Sequence, residues 1–149
     1  MGHIISYEGV KVYPNKIQAI KEWKTPTTIK HIRGFLCLTR YYQKFVKNYA
    51  CITTPLTTLL KKDAFSWTPE ATKAFEQLKD SMCRAPVPTT PDFTKTFIVE
   101  CDASGNDIGV VLMQDGRPIA FESQPIKGNN FHKPIYEKKM LAILHALKQ

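Results

Sequence analysis

Two hydrophobic rhythms divide the chain. From Pro14 to Met82 apolar residues recur every three or four positions, the period of an amphipathic helix. From Phe97 to Phe121 they crowd into short runs that read as strands. The opening stretch is strand-like too: His3 to Ser6 and Val10 to Val12, joined through Tyr7-Glu8-Gly9, predict a short hairpin. Pro14 then opens a helix to about Trp23, with Ile17, Ile20 and Trp23 on one face. Thr25-Pro26 breaks the chain. A longer helix is expected from about Thr28 to Tyr49, interrupted or bent where Gly34 falls. Its Ile29, Ile32, Phe35, Leu36, Tyr42, Phe45, Val46 and Tyr49 keep a helical period. Thr54-Pro55 predicts a short turn of helix through Leu60. Thr68-Pro69-Glu70 combines a hydroxyl cap, a first-position proline and an early acid, a strong helix start. That helix carries Ala71, Phe75, Leu78 and Met82 on its inner face.

The second rhythm starts after a linker. Arg84-Ala-Pro-Val-Pro-Thr-Thr-Pro-Asp92 is too rich in proline for a helix and favours extended backbone. Phe97-Ile-Val-Glu-Cys-Asp-Ala-Ser-Gly105 then reads as a buried central strand running into one carboxylate, Asp102. Gly109 to Met113 is a second strand, Asp115-Gly116 a tight turn, and Pro118 to Glu122 a third strand. A last helix runs from about Lys133 to Lys148, its buried face marked by Tyr136, Met140, Ile143 and Leu147. The fold class is α+β: a helical region over 1–83, a linker over 84–92, and a three-stranded antiparallel meander with one helix over 93–149. Such a meander is a marginal core by itself, and the last helix reaches the end of the sequence still amphipathic and without a capping glycine. The expected unit is therefore a truncated domain.

Charge changes the picture. The formal net charge is +8, which favours a polyanionic partner, most often nucleic acid. Cys37, Cys51, Cys83 and Cys101 are widely spaced, so free thiols in a reducing compartment are expected. The four histidines show no zinc spacing. No apolar run approaches the ~20 residues of a membrane span. The first residues lack the basic start and apolar stretch of a signal peptide. Met1-Gly2 with Ser6 fits the loose myristoylation pattern, but His3-Ile-Ile reads better as a strand. An intracellular location, cytoplasmic or nuclear, is expected, with no membrane partner.

Asp102 admits two readings. Asp often starts a turn before small residues. A carboxylate held rigidly at a strand end also suits a hard metal ion.

Five blocks, in order, resemble the Pol polyprotein of gypsy-type LTR retrotransposons, particularly plant ones. Met1-Gly-His-Ile-Ile-Ser6 resembles the end of the reverse transcriptase palm. Pro14-Asn-Lys-Ile-Gln-Ala-Ile20 and Gly34-Phe-Leu-Cys-Leu-Thr-Arg-Tyr-Tyr-Gln-Lys-Phe45 resemble its thumb. Pro55 to Lys62 and Phe65-Ser-Trp-Thr-Pro-Glu-Ala71 resemble the connecting region. Phe97 to Phe121 and Tyr136-Glu-Lys-Lys-Met-Leu-Ala-Ile143 resemble the first half of a tethered ribonuclease H domain. The resemblance implies magnesium ions, held by carboxylates, that activate water to hydrolyse the RNA strand of a hybrid. It makes Asp102 the first of those carboxylates.

The same resemblance exposes departures. The family pattern Tyr-Glu-Lys-Glu places its metal-ligating Glu where this chain has Lys139. Glu137 matches the first, non-ligand Glu, about 200° away around the helix at ~100° per residue. An ammonium there repels the metal. The family usually caps its first helix with Asp at the position of Tyr13, and has glycines at Cys37 and Arg40. The polymerase aspartates lie upstream of the matched palm segment. What the resemblance leaves is substrate contact: Gly2 and His3 near the primer end, then His31, Arg33, Arg40, Lys44 and Lys47 on the thumb-like helix, with Tyr41, Tyr42 and Tyr49 interleaved. Such basic groups neutralise phosphates without reading sequence. Tyr42 and Tyr49 are expected in the core.

Three functions follow. The first is a retroelement-derived fragment, inactive by itself, that binds RNA/DNA hybrid or other nucleic acid non-specifically, with Asp102 a remnant and Mg2+ not tightly bound. The second is a magnesium-dependent ribonuclease H completed by another chain. The third is a domesticated protein-interaction module that takes a partner, or a second copy, at its open sheet edge.

Overall fold

The structure, a computed structural model, describes residues 3–6, 9–12, 14–61, 65–84, 90–103 and 107–148. Strands β1 (His3–Ser6) and β2 (Gly9–Val12) form the expected antiparallel hairpin, with His3 opposite Val12. Four helices follow: α1 (Pro14–Lys21), α2 (Ile29–Arg40), α3 (Tyr49–Thr58) and α4 (Pro69–Arg84). Strands β3 (Ile98–Ala103), β4 (Asp107–Gln114) and β5 (Arg117–Pro125) make an antiparallel meander, and α5 (Ile135–Ala146) lies against it. The α+β class read from the sequence is the class observed.

The caps fall where the hydroxyls do. Thr28 Oγ1 accepts the N–H of His31 at 3.2 Å, and Thr68 Oγ1 accepts that of Ala71 at 3.2 Å. Each satisfies one of the orphan donors of a first helical turn. Helix α4 buries Ala71, Phe75, Leu78 and Met82, as its period predicts. The Asp115-Gly116 turn has positive φ at both residues, 52° and 72°, as a two-residue type I′ hairpin requires.

The single helix expected from Thr28 to Tyr49 does not form. Helix α2 continues through Gly34 and stops at Arg40. A 3₁₀ turn follows at Gln43–Phe45, and Asn48, at φ 57°, reverses the chain into α3. Asn tolerates that left-handed conformation better than most residues. The periodicity hides the break for a physical reason: a 3₁₀ turn also buries every third residue, so Tyr42, Phe45, Val46 and Tyr49 keep an apparently helical spacing across it. Pro55 likewise lies inside α3 rather than opening a helix. It leaves the Cys51 carbonyl without its helical donor, at a residue that is exposed.

Sixteen buried residues from α1 to α4 form one core, with Phe35 at its centre against Trp23 (centroids 5.8 Å apart) and Phe75 (4.6 Å). Among the described residues the cluster on the sheet side has four: Ile108, Val110, Ile126 and Ala142. The helical part thus carries most of the apolar burial that stabilises the chain. The two parts join where α3 meets β5, the Ala50 N–H donating to Ser123 Oγ at 2.8 Å. Gln114, buried, grips the segment before β3 by exchanging hydrogen bonds with the Asp92 backbone at 2.9 and 2.8 Å.

Two expectations about the second half are corrected. Strand β3 is an edge strand among the described residues, with β4 in the middle, and Ile98 and Val99 are about half exposed. Helix α5 turns Lys138 and Ala142 inward, and Tyr136, Met140, Ile143 and Leu147 are exposed. The helix is apolar nearly all round, so period alone does not choose its buried face. Contact with the sheet chooses Ala142, whose small side chain lets the backbone approach.

Tyr49 supplies a test of the larger core. Its hydroxyl lies 3.0 Å from Thr39 Oγ1, and burial, outweighing that contact and the Arg40 charge, pushes the phenol above its ordinary range. The raised value favours the protonated fold. Its contribution is full below about pH 10, the unfolded phenol's value, and is lost as pH rises through the folded one. Alkaline melting curves of Tyr49→Phe should therefore fall less steeply with pH than those of the parent. Identical slopes would mean that ionisation of Tyr49 does not limit alkaline stability.

Candidate functional site

Asp102 lies one residue from the end of β3, opposite Gly109. Side chains alternate along a strand, so Glu100 and Asp102 share the face carrying Gly109, Val111 and Phe121. With Asp107, Glu122 and the turn residues Lys47 and Asn48 they line a cleft of about 420 Å³. Asp102 is exposed, and its Oδ1 accepts the N–H of Ala103 at 2.9 Å. Asp107 is buried at the mouth of β4. Partial desolvation first, and the charge of Asp107 second, push the thiol of the largely exposed Cys51 above its ordinary value. That chemistry keeps Cys51 protonated and a poor nucleophile.

The second expected position, 139, is not brought to Asp102. Helix α5 covers the opposite face, where Cys101, Ile108 and Val110 pack against Ala142. No described residue of α5 lines the cleft. Lys139 is exposed on the outer surface. Glu137 is paired with Lys133, whose Nζ lies 2.8 Å from its Oε2. Among the described residues no three His, Cys, Asp or Glu side chains come together closely enough to hold one metal ion.

The basic residues named from the sequence separate into two places. Arg33 and Arg40 line one groove of about 850 Å³ between α2, α3 and β5. Lys47 lines the carboxylate cleft instead, and Lys44 lies over the Phe45 ring at 5.3 Å. His31 is an exposed residue of the first turn of α2. Gly2 lies outside the described residues, as does Tyr13, and His3 opens β1. Tyr42 and Tyr49 are buried, as expected, and Tyr41 is partly exposed. The structure adds Lys127, on the loop after β5, to the groove of Arg33 and Arg40. Its sequence neighbours give no pattern that would single it out. The structure also adds Asp107 to the cleft, and here the sequence holds a usable signal: a second carboxylate five residues after Asp102, entering the next strand.

Residues 67–149 match the family model described as the RNase H-like domain found in reverse transcriptase. The chain belongs to that family. The retrovirus-related Pol polyprotein from transposon 297 of Drosophila melanogaster is 43% identical over 99% of the chain, and that from transposon gypsy, of the same organism, is 35% identical over 99%. The chain spans only 14% and 16% of their lengths. An uncharacterized mitochondrial protein of Arabidopsis thaliana is 47% identical over 64% of the chain. The foamy viral protease-reverse transcriptase, solved in complex with RNA/DNA hybrid, superposes with a TM-score of 0.90 at 23% identity, covering 99% of this chain and 21% of that one. At that identity the likeness establishes the fold. The chain is thus a retroelement Pol-type reverse transcriptase/RNase H-like segment.

The RNase H-like family generally uses magnesium. The donors among the described residues do not fit it. Magnesium wants near-octahedral oxygen donors, but no three of the described carboxylates along the cleft come together, and α5 adds no partner for Asp102, position 139 offering an ammonium. No catalytic step through a metal follows from this arrangement.

Proposed function

We propose that this segment, of gypsy-type and plant-like ancestry, binds RNA/DNA hybrid through its backbone phosphates and does not cleave it by itself. The observation that carries the reading is the set of exposed cations along α2 and the turn after it. Arg33, Arg40 and Lys47 make no ion pair with a carboxylate among the described residues. Cations left in water keep their capacity to displace counterions from phosphates, and counterion release supplies nearly all of non-specific affinity. The foamy viral enzyme of the same fold was solved on a hybrid and on double-stranded DNA, which supports the polyanion as partner.

The test is a salt titration. Affinity for a hybrid should fall linearly with salt on logarithmic axes, and replacing both Arg33 and Arg40 by Gln should reduce that slope by about two and weaken binding roughly ten-fold. Magnesium-dependent cleavage should be absent. Binding that ignores salt and both arginines rejects the reading. Cleavage that disappears in Asp102→Asn would instead support a ribonuclease H.

A second reading rests on a different observation. Tyr136, Met140, Leu144 and Leu147 expose an apolar strip on α5, and β3 offers a free edge among the described residues. Contiguous apolar surface with an unpaired strand is the usual signature of an interaction site. A further polypeptide that covers both would make this segment one part of an assembled domain. Concentration-dependent self-association, or capture of a defined downstream Pol segment, would distinguish this from the first reading.

A further inference from the structure

The groove between α2, α3 and β5 differs in character from a plain basic face. Arg33 and Arg40 stand on one face of α2, seven residues apart, and Tyr41 follows at the helix C-cap. Seven residues place the two guanidinium stems about 10 Å apart along the helix axis at 1.5 Å per residue. Lys127 approaches from across the groove, beyond the end of β5. Between these rims the floor includes apolar side chains: Leu36 of α2, Leu60 after α3, and Pro125 of β5. Glu122 is the one carboxylate along the described lining, and its Oε1 lies 3.7 Å from His145 Nε2. Three cations therefore face one acid.

A duplex presents phosphates and sugars outward and keeps the faces of its bases stacked inside. Its charged backbone can meet the cationic rims but gains nothing from an apolar floor, against which desolvation is unfavourable. An unpaired strand carries both chemistries at once: phosphates for the cationic rims and base faces for the apolar floor. The ring of Tyr41, at 36% exposure and braced edge-on by the buried Tyr42 (centroids 4.9 Å apart), gives a stiff surface at the rim. Base–aromatic stacking beside a positively charged groove is the general means of holding single strands without sequence preference.

We propose that this groove holds an unpaired nucleic-acid strand, with Arg33, Arg40 and Lys127 on its phosphates and Tyr41 against a base. The assignment rests on the nucleic-acid reading above and names the form of substrate for this groove. It makes Lys127 a binding residue and couples the two halves of the chain, since one rim belongs to the helices and the other to the sheet.

The experiment measures fluorescence anisotropy of labelled oligothymidylate with the full chain, and of a blunt RNA/DNA hybrid at the same salt. Lys127→Gln should reduce the logarithmic salt slope for the single strand by about one. Tyr41→Leu, which keeps an apolar side chain but removes the aromatic face, should weaken it roughly ten-fold while leaving hybrid affinity within about two-fold. Thermal melting of each variant confirms that the fold is kept, and Lys73→Gln on α4 serves as a control that changes neither. Loss confined to the single strand supports the groove. Hybrid binding that depends on Arg33 and Arg40, beside single-strand binding indifferent to Tyr41 and Lys127, overturns the groove and leaves the hybrid reading standing. Absence of binding to either form overturns both.

Discussion

Phe35→Ala is expected to lower the unfolding free energy by about 3–5 kcal/mol, the usual cost of emptying an aromatic site in a packed core. Phe35 is fully buried and touches the rings of both Trp23 and Phe75. The three rings come from separate segments: the stretch just after α1, helix α2 and helix α4. Removing the central ring opens a cavity that no one segment can fill without moving the others. A domain of this size has a total stability on the order of 5–15 kcal/mol, so the substitution takes a large share of it. The sheet side cannot compensate, because its buried cluster is four residues against sixteen. Urea denaturation followed by tryptophan fluorescence checks this, since Trp23 reports on the site directly. A loss under 1 kcal/mol would mean that the helical core is not the main source of stability.

What the sequence disclosed depended on which signal was strongest locally. Caps and turns were legible because they rest on one or two residues with a fixed chemistry: Thr28, Thr68-Pro69, and Asp115-Gly116. The strands were legible because runs such as Gly109 to Met113 admit few other states. The break after Arg40 was not, because burial at Tyr42, Phe45, Val46 and Tyr49 continues at a spacing shared by α and 3₁₀ backbone. The deciding residue, Asn48, looks like any polar surface position until its positive φ is seen. At the site, Asp102 stood out because strand and small residues framed it, and the family resemblance gave it a role. Its separation from position 139 was hidden, because it depends on which sheet face α5 covers. Lys127 was hidden for a related reason: it reaches the groove of Arg33 and Arg40 only through the docking of β5 on α3, a contact between residues 73 apart.

The rotation of α5 gives the second large effect. Ala142→Leu should destabilise the sheet half by about 1–3 kcal/mol, the range for inserting methylene groups into a packed interior. Ala142 is fully buried against Ile108 and Val110, and with so few residues in that cluster there is little slack to absorb a larger side chain. Met140→Ser, at a position 57% exposed, should change stability within about 0.5 kcal/mol. The two substitutions lie two residues apart, about 200° around the helix, so helix propensity alone does not predict so large a contrast. If the period of Tyr136, Met140, Ile143 and Leu147 chose the buried face, their order would reverse: the serine would be costly and the leucine tolerated. Amide hydrogen exchange separates these cases. In Ala142→Leu the α5 amides should lose protection while those of α2 and α4 keep theirs, since the Phe35 core is untouched. Loss of protection in Met140→Ser instead would mean a rotated helix, with Met140 carried toward the sheet.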